Sequence, residues 1–178
     1  MPRLRLLTIG GTRSGKSRYA EERIERLELA PVYIATGMAG DPEMAARIEA
    51  HRRRRGPAWR TVEEPLELAT CLAGEAKAGR AVLVDCLTLW LANLFEARRD
   101  VAAETDRLVE VLGDAPGAIA LVSNEVGGGV VPENALARRF ADAQGVLNQR
   151  VAAAVDEVVL VAAGLPLVLK SPAKDAAR

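Results

Sequence analysis

The chain is 178 residues long, 49% hydrophobic and 3% aromatic, with 24 Lys and Arg balanced by 24 Asp and Glu and a single His. That length suits one domain, residues 1–178, with a substantial core, and neutrality with few rings argues against a nucleic-acid partner. No apolar run is long enough for a bilayer span or a signal-peptide core, and Cys71 and Cys86 sit in apolar contexts without metal-ligand spacing. A cytoplasmic protein with buried thiols and no transmembrane segment is expected.

Short β-branched runs alternate with helical patterns, as in βα units built on a parallel sheet. The first strand is expected from Leu4 to Ile9, and "GGTRSGKS" follows it as Gly10, Gly11, Thr12, Arg13, Ser14, Gly15, Lys16 and Ser17. Gly10, Gly15, Lys16 and Ser17 satisfy G-x-x-x-x-G-K-[ST], and Ala20, Ile24 and Leu27 then line one face of a helix starting near Ser17. Strand, glycine-rich turn and helix in that register make a phosphate loop: backbone N–H groups and the helix N-terminus face the phosphate oxygens. Lys16 would reach the β and γ phosphates while the Ser17 hydroxyl would ligate Mg²⁺. Kinases, GTPases and motors all share this device, and the fold does not choose among them.

A second strand is expected from Val32 to Thr36, and then "GDPEMAARIEAHRRRRG" begins with Asp41 as N-cap and Pro42 at the first helical position. On a helix from Pro42 to about Arg55, Met44, Ile48 and His51 share a face, with Arg47, Arg54 and Arg55 one turn from the imidazole. The guanidiniums would hold His51 neutral, hence nucleophilic, and gather anionic groups around it. A lone His on an arginine-rich helix is also a common surface feature, and the charges have no aromatic residues among them, so an RNA or DNA patch is the weaker reading.

Further helices are expected over Pro65 to Ala78, Leu87 to Arg98, and after Pro132, where Leu136, Phe140, Leu147 and Val151 keep helical spacing. Strands are expected at Ala81 to Val84, Ala118 to Val122 and Val158 to Ala162, and "VVLVAAGLPLVLK" reads as a strand, a turn at Gly164 to Pro166 and an antiparallel edge strand. The tail, 171–178, is expected to fray. Asp85, directly after four apolar strand residues, has the position of the acid that completes a P-loop Mg²⁺ site; it could instead cap the helix beginning near Leu87.

Several stretches together resemble the bifunctional adenosylcobinamide kinase and adenosylcobinamide-phosphate guanylyltransferase family of cobalamin biosynthesis. They are "GGTRSGKSRYAE", "YIATG", "EMAARIEAHRRRR", "WRTVEEP", "LVDCLTLWLANL", "SNEVGGGVVPEN" and "LNQRVAAAVDEVVLVAAGLPLVLK". The resemblance runs nearly end to end and implies an α/β, RecA-like P-loop domain whose relatives assemble as homotrimers. It implies two reactions, phosphorylation of adenosylcobinamide with ATP or GTP and transfer of GMP from GTP to the phosphate product, with His51 as the GMP-histidine intermediate. Carried over by position, nucleotide contacts would come from Gly10 to Ser17, from Ala35, Thr36 and Gly37, from Arg52, Arg53, Arg54 and Arg55, and from Glu63 and Asp85. Asn124 and Glu125 would lie at the carboxyl end of a strand, where such sheets bind ligands, without a specific role for Glu125. The rivals are a P-loop kinase for another small alcohol, which has no need of His51, and a nucleotide-gated binding protein whose arginines grip an acidic partner.

Overall fold

A computed structural model of the chain describes residues 4–38, 53 and 55–172. Its elements are β1 (Arg5–Gly10), α1 (Lys16–Glu25), β2 (Ala30–Ala35), β3 (Arg60–Glu63), α2 (Leu68–Glu75), β4 (Arg80–Asp85), α3 (Leu87–Glu96), α4 (Val101–Asp114), β5 (Ala118–Asn124), α5 (Ala135–Ala154), β6 (Glu157–Ala162) and β7 (Leu165–Lys170). Most of the helix expected from Pro42 to Arg55 lies outside the described residues, as do His51, Arg52, Arg54 and the end of the tail.

The strands form one sheet in the order β3-β2-β4-β5-β1-β6-β7, parallel throughout except for the antiparallel β6–β7 edge. Strand β5 thus separates the strand that leads into the phosphate loop from the strand that ends in Asp85. Apolar residues point to both sides of the central strands, as burial between two layers demands. On one face Leu7, Ile34, Val82, Val84, Ile119 and Leu121 pack with residues of α2, α3, α4 and α5, including the fully buried Trp90. The other face sets Leu6, Leu83, Ala120 and Val159 against Ala20 and Ile24 of α1 and against Trp59.

Two elements are absent from the sequence expectation. Helix α4 carries a legible start signal, since the Asp100 side chain accepts from the N–H groups of Ala102 and Ala103, and its Leu108 and Leu112 are buried one turn apart. Strand β3 is four half-exposed residues, and its parallel pairing with β2 rather than its own pattern makes it a strand. Helix α2 is shorter than expected because Glu64 Oε1 takes the N–H groups of Leu66 and Glu67, closing a turn before the helix starts. In α5, Leu136 is 59% exposed; the buried stripe begins further along, where Phe140 packs edge-on against Phe95.

Arg5 is buried at 1% exposure inside the sheet. Its Nε donates to the Leu112 carbonyl at 2.9 Å, Nη1 to the carbonyls of Gly117 at 2.5 Å and Leu4 at 3.0 Å, and Nη2 to that of Ala115. One guanidinium therefore saturates the turn between α4 and β5, whose carbonyls would otherwise be dry. Arg5→Met is expected to lower the unfolding free energy by about 3 kcal/mol, measured by urea denaturation, because it leaves several buried carbonyls without a donor.

Candidate active site

The carboxyl ends of five parallel strands bring the expected site residues to one edge. Ala35 lies in register with Glu63 on one side and with Asp85 on the other, Asp85 with Val122, and Asn124 with Gly10. This is the edge where open α/β sheets bind ligands, because the loops that leave it diverge and expose backbone N–H groups.

The phosphate loop leaves β1 at Gly10. A Cβ there would lie 2.4 Å from the Val161 carbonyl oxygen and 2.7 Å from Ser14 Oγ, so no larger residue fits. Gly15, at φ +97°, turns the chain through the left-handed region into α1, whose first residue is Lys16. Gly11, Thr12 and Arg13 are exposed, Ser14 is buried, and Ser17 is half-buried at the start of the helix. Two neighbours fasten the loop: the Glu125 N–H donates to the Gly10 carbonyl at 3.1 Å, and the Gly164 N–H donates to that of Ser14 at 2.9 Å.

Lys16 is 9% exposed and its Nζ donates to the Gly11 carbonyl at 3.1 Å, curled back over its own loop. Burial pushes its pKa below the ordinary lysine value, against the opposing pull of Cys86 and Asp85. Asp85 does not cap α3: the N-cap is Cys86, without a side-chain hydrogen bond. The Cys86 thiol is pushed up to about 11, chiefly by burial, and is chemically quiet. Cys71 is half-buried and likewise pushed up to about 11.

Thr36, expected among the nucleotide contacts, is fully buried. Its Oγ1 donates to the Cys86 carbonyl at 2.7 Å and accepts from the Cys86 N–H at 2.9 Å, while its own carbonyl accepts from Asn93 Nδ2 at 2.7 Å. The side chain rivets the end of β2 to the end of β4, and so sets where Asp85, Ala35 and the half-buried Gly37 stand. Arg55 is also turned inward: it pairs with Glu21 of α1 at 3.6 Å, and its guanidinium carbon lies 3.4 Å from the centre of the Tyr33 ring. Arg53 is exposed. His51, Arg52 and Arg54 lie outside the described residues.

The family model described as "cobinamide kinase / cobinamide phosphate guanyltransferase" matches residues 6–169. The chain belongs to that family. It is 52% identical over 169 residues to the bifunctional adenosylcobalamin biosynthesis protein CobP of Pseudomonas aeruginosa, covering 94% of this chain and 98% of that one. Among solved structures it is similar to the flagellar accessory protein FlaH of Methanocaldococcus jannaschii, 12% identical with TM-score 0.53 over 97% of this chain and 80% of that one. It is also similar to the RadB recombinase, 16% identical with TM-score 0.51 over 87% and 73%. These structures establish the RecA-like P-loop fold.

In this member of the family, a polar network absent from the sequence expectation supports the loop edge. Ser123 Oγ donates to Asn148 Oδ1 at 2.6 Å, Gln144 Nε2 donates to both, and Asn148 Nδ2 donates to the Asn124 carbonyl at 3.0 Å. Its trace in the sequence is the pair Gln144 and Asn148, one turn apart beside the buried Leu147 and Val151. Thr88 Oγ1 accepts from the Asn124 N–H at 2.9 Å, so the end of β5 is held from two helices.

Thr36→Val is expected to cost about 1–3 kcal/mol by leaving the Cys86 N–H and carbonyl without their partner. Thermal denaturation would measure that loss, and a weaker nucleotide affinity in the folded variant would show that Asp85 had moved with it.

Proposed function

We propose that the chain phosphorylates the aminopropanol hydroxyl of adenosylcobinamide with ATP or GTP. It then transfers GMP from GTP through His51, releasing pyrophosphate and adenosylcobinamide-GDP. The observation that carries this reading is the buried Lys16 at the head of α1, directly after the phosphate loop, inside a chain that its family model matches from residue 6 to residue 169.

For the first reaction the loop's part is positioning and charge neutralisation. Backbone N–H groups from Gly11 to Ser17 would cradle the β and γ phosphates, and Lys16 would swing from the Gly11 carbonyl to the γ-phosphate, following the charge as it moves to the leaving diphosphate. Ser17 and Asp85 offer one hydroxyl and one carboxylate, hard oxygen donors of the kind that suit Mg²⁺ shared with a triphosphate. Bound there, Mg²⁺ would neutralise charge on the phosphates.

For the second reaction His51 would attack the α-phosphorus of GTP and hold GMP as a phosphoramidate, reactive enough to pass the nucleotide to the cobinamide phosphate. Ala35, Gly37 and Glu63, at the ends of β2 and β3, would line the nucleotide, with Arg52, Arg53 and Arg54 gathering its charge. Thr36 and Arg55 would support it through the contacts described above.

A homotrimer belongs to the same proposal. Strand β7 is an edge with Leu165, Leu167, Val168 and Leu169 each more than half exposed, an apolar surface that a second copy of the chain would cover. A cytoplasmic location is also part of it. Among the described residues, no helix is long and apolar enough to cross a membrane.

Incubation with GTP labelled at the α-phosphate is expected to leave acid-labile, alkali-stable label on the protein, and none on His51→Ala. An unlabelled wild-type protein would remove the guanylyl transfer and leave a P-loop kinase whose acceptor an assay must identify. Sedimentation is expected to show a trimer that Leu167→Glu dissociates.

Lys16 supplies a pH test. Its folded-state pKa is lowered, so the burial cost on its charged form is relieved as pH rises toward the ordinary value of 10.5, and a facing triphosphate raises the pKa again. Nucleotide binding in that alkaline range is therefore expected to take up protons, seen by calorimetry in buffers of different ionisation enthalpy, and Lys16→Met is expected to abolish the uptake.

A further inference from the structure

We propose that Glu125 is a catalytic residue of the kinase reaction: its carboxylate accepts the proton of the acceptor hydroxyl, in a cleft that holds the acceptor's short aliphatic arm. The inference rests on the kinase reading above and supplies the base and the docking place for the arm.

Glu125 is the first residue beyond β5, the strand beside β1, and its N–H is fixed to the Gly10 carbonyl. Its Oε1 accepts from the Gly127 N–H at 2.7 Å, which holds the carboxylate in one orientation while leaving its second oxygen for another proton donor. Glu125 and Val126 form one wall of a cleft of about 560 Å³, the phosphate loop from Gly11 to Ser14 a second, and the end of β6 a third. The lining is mostly apolar or backbone, with Leu160, Val161 and Val126 beside Arg13 and Glu125.

A cleft of this size accepts a few-carbon alcohol with its linking amide, while a ring system of corrin dimensions stays outside. Among the described residues that line the cleft, Glu125 is the one carboxylate. Asp85 stands at the end of β4, with β5 between it and β1, and interacts with Lys16. The two acids therefore divide the work: Asp85 lies on the cation side of the triphosphate, and Glu125 on the side from which an alcohol enters.

In the step, the alcohol oxygen forms a bond to the γ-phosphorus as the bond from that phosphorus to the β–γ bridging oxygen breaks. The nucleoside diphosphate leaves with the electron pair. The hydroxyl proton passes to the Glu125 carboxylate and from there to solvent. The phosphate monoester used in the second reaction is already an anion and needs no such base.

The test compares wild type, Glu125→Gln and Glu125→Asp in the phosphorylation of adenosylcobinamide and in guanylyl transfer to pre-formed adenosylcobinamide phosphate. Glu125→Gln keeps an oxygen for the Gly127 N–H. It is expected to lower kcat for phosphorylation by about 100-fold, the lower end for a lost general base, with KM for the nucleotide changed less than threefold. The ratio of kinase to guanylyl transfer is expected to fall at least tenfold, Glu125→Asp to recover part of it, and the acidic limb of the wild-type pH–rate profile to vanish in Glu125→Gln. Phosphorylation within threefold of wild type, an unchanged ratio, or a wild-type profile flat on its acidic side would overturn the proposal. A wild type that phosphorylates adenosylcobinamide while Glu125→Gln does so equally well sinks the base alone; a wild type without that activity sinks the kinase reading and the base with it.

Discussion

The contact between Gly10 and the carbonyl of Val161 is the constraint on which the nucleotide end of the molecule depends. A Cβ at residue 10 would stand 2.4 Å from that oxygen, so the phosphate loop can leave β1 along this path only with glycine there. Once it does, the loop is fastened by Glu125 on the β5 side and by Gly164 on the β6 side. The loop's backbone is thus tied at both ends to neighbouring elements, which lowers the ordering cost of a binding step.

From that fastening the rest of the edge follows by register. Parallel pairing sets the ends of β2, β3 and β4 level, so Ala35 lies between Glu63 and Asp85 although 28 and 50 positions separate it from them in the chain. Thr36 locks β2 to β4, and the Ser123–Gln144–Asn148 network locks β5 to α5. These polar clamps are buried, and a buried polar group that is satisfied by one geometry resists every other.

The opposite edge of the sheet works differently. There β7 pairs with β6 alone among the described strands and exposes Leu165, Leu167 and Leu169. Strands β1 and β5 are buried on both sides by helices, whereas every residue of β7 is exposed.

Local signals carried most of the fold. The phosphate loop was legible because glycine spacing, strand and helix all agree within a dozen residues, and α1, β4 and the β6–β7 hairpin were legible because each buries a regular apolar stripe. The position of Asp85 could be read too, but not whether it caps α3, which the location of that cap at Cys86 answers. Strand β3 was hidden because four half-exposed residues carry no period of their own. The inward turn of Arg55 onto Glu21 and Tyr33, the burial of Thr36, and the placing of Glu125 in a cleft with residues some 35 positions away are properties of long-range packing. The sequence by itself determined the phosphate loop, the α/β class and the family, because those rest on contiguous residues whose local chemistry is self-consistent. Which polar side chains serve as internal clamps was decided by the tertiary structure, since that depends on what each meets across the sheet.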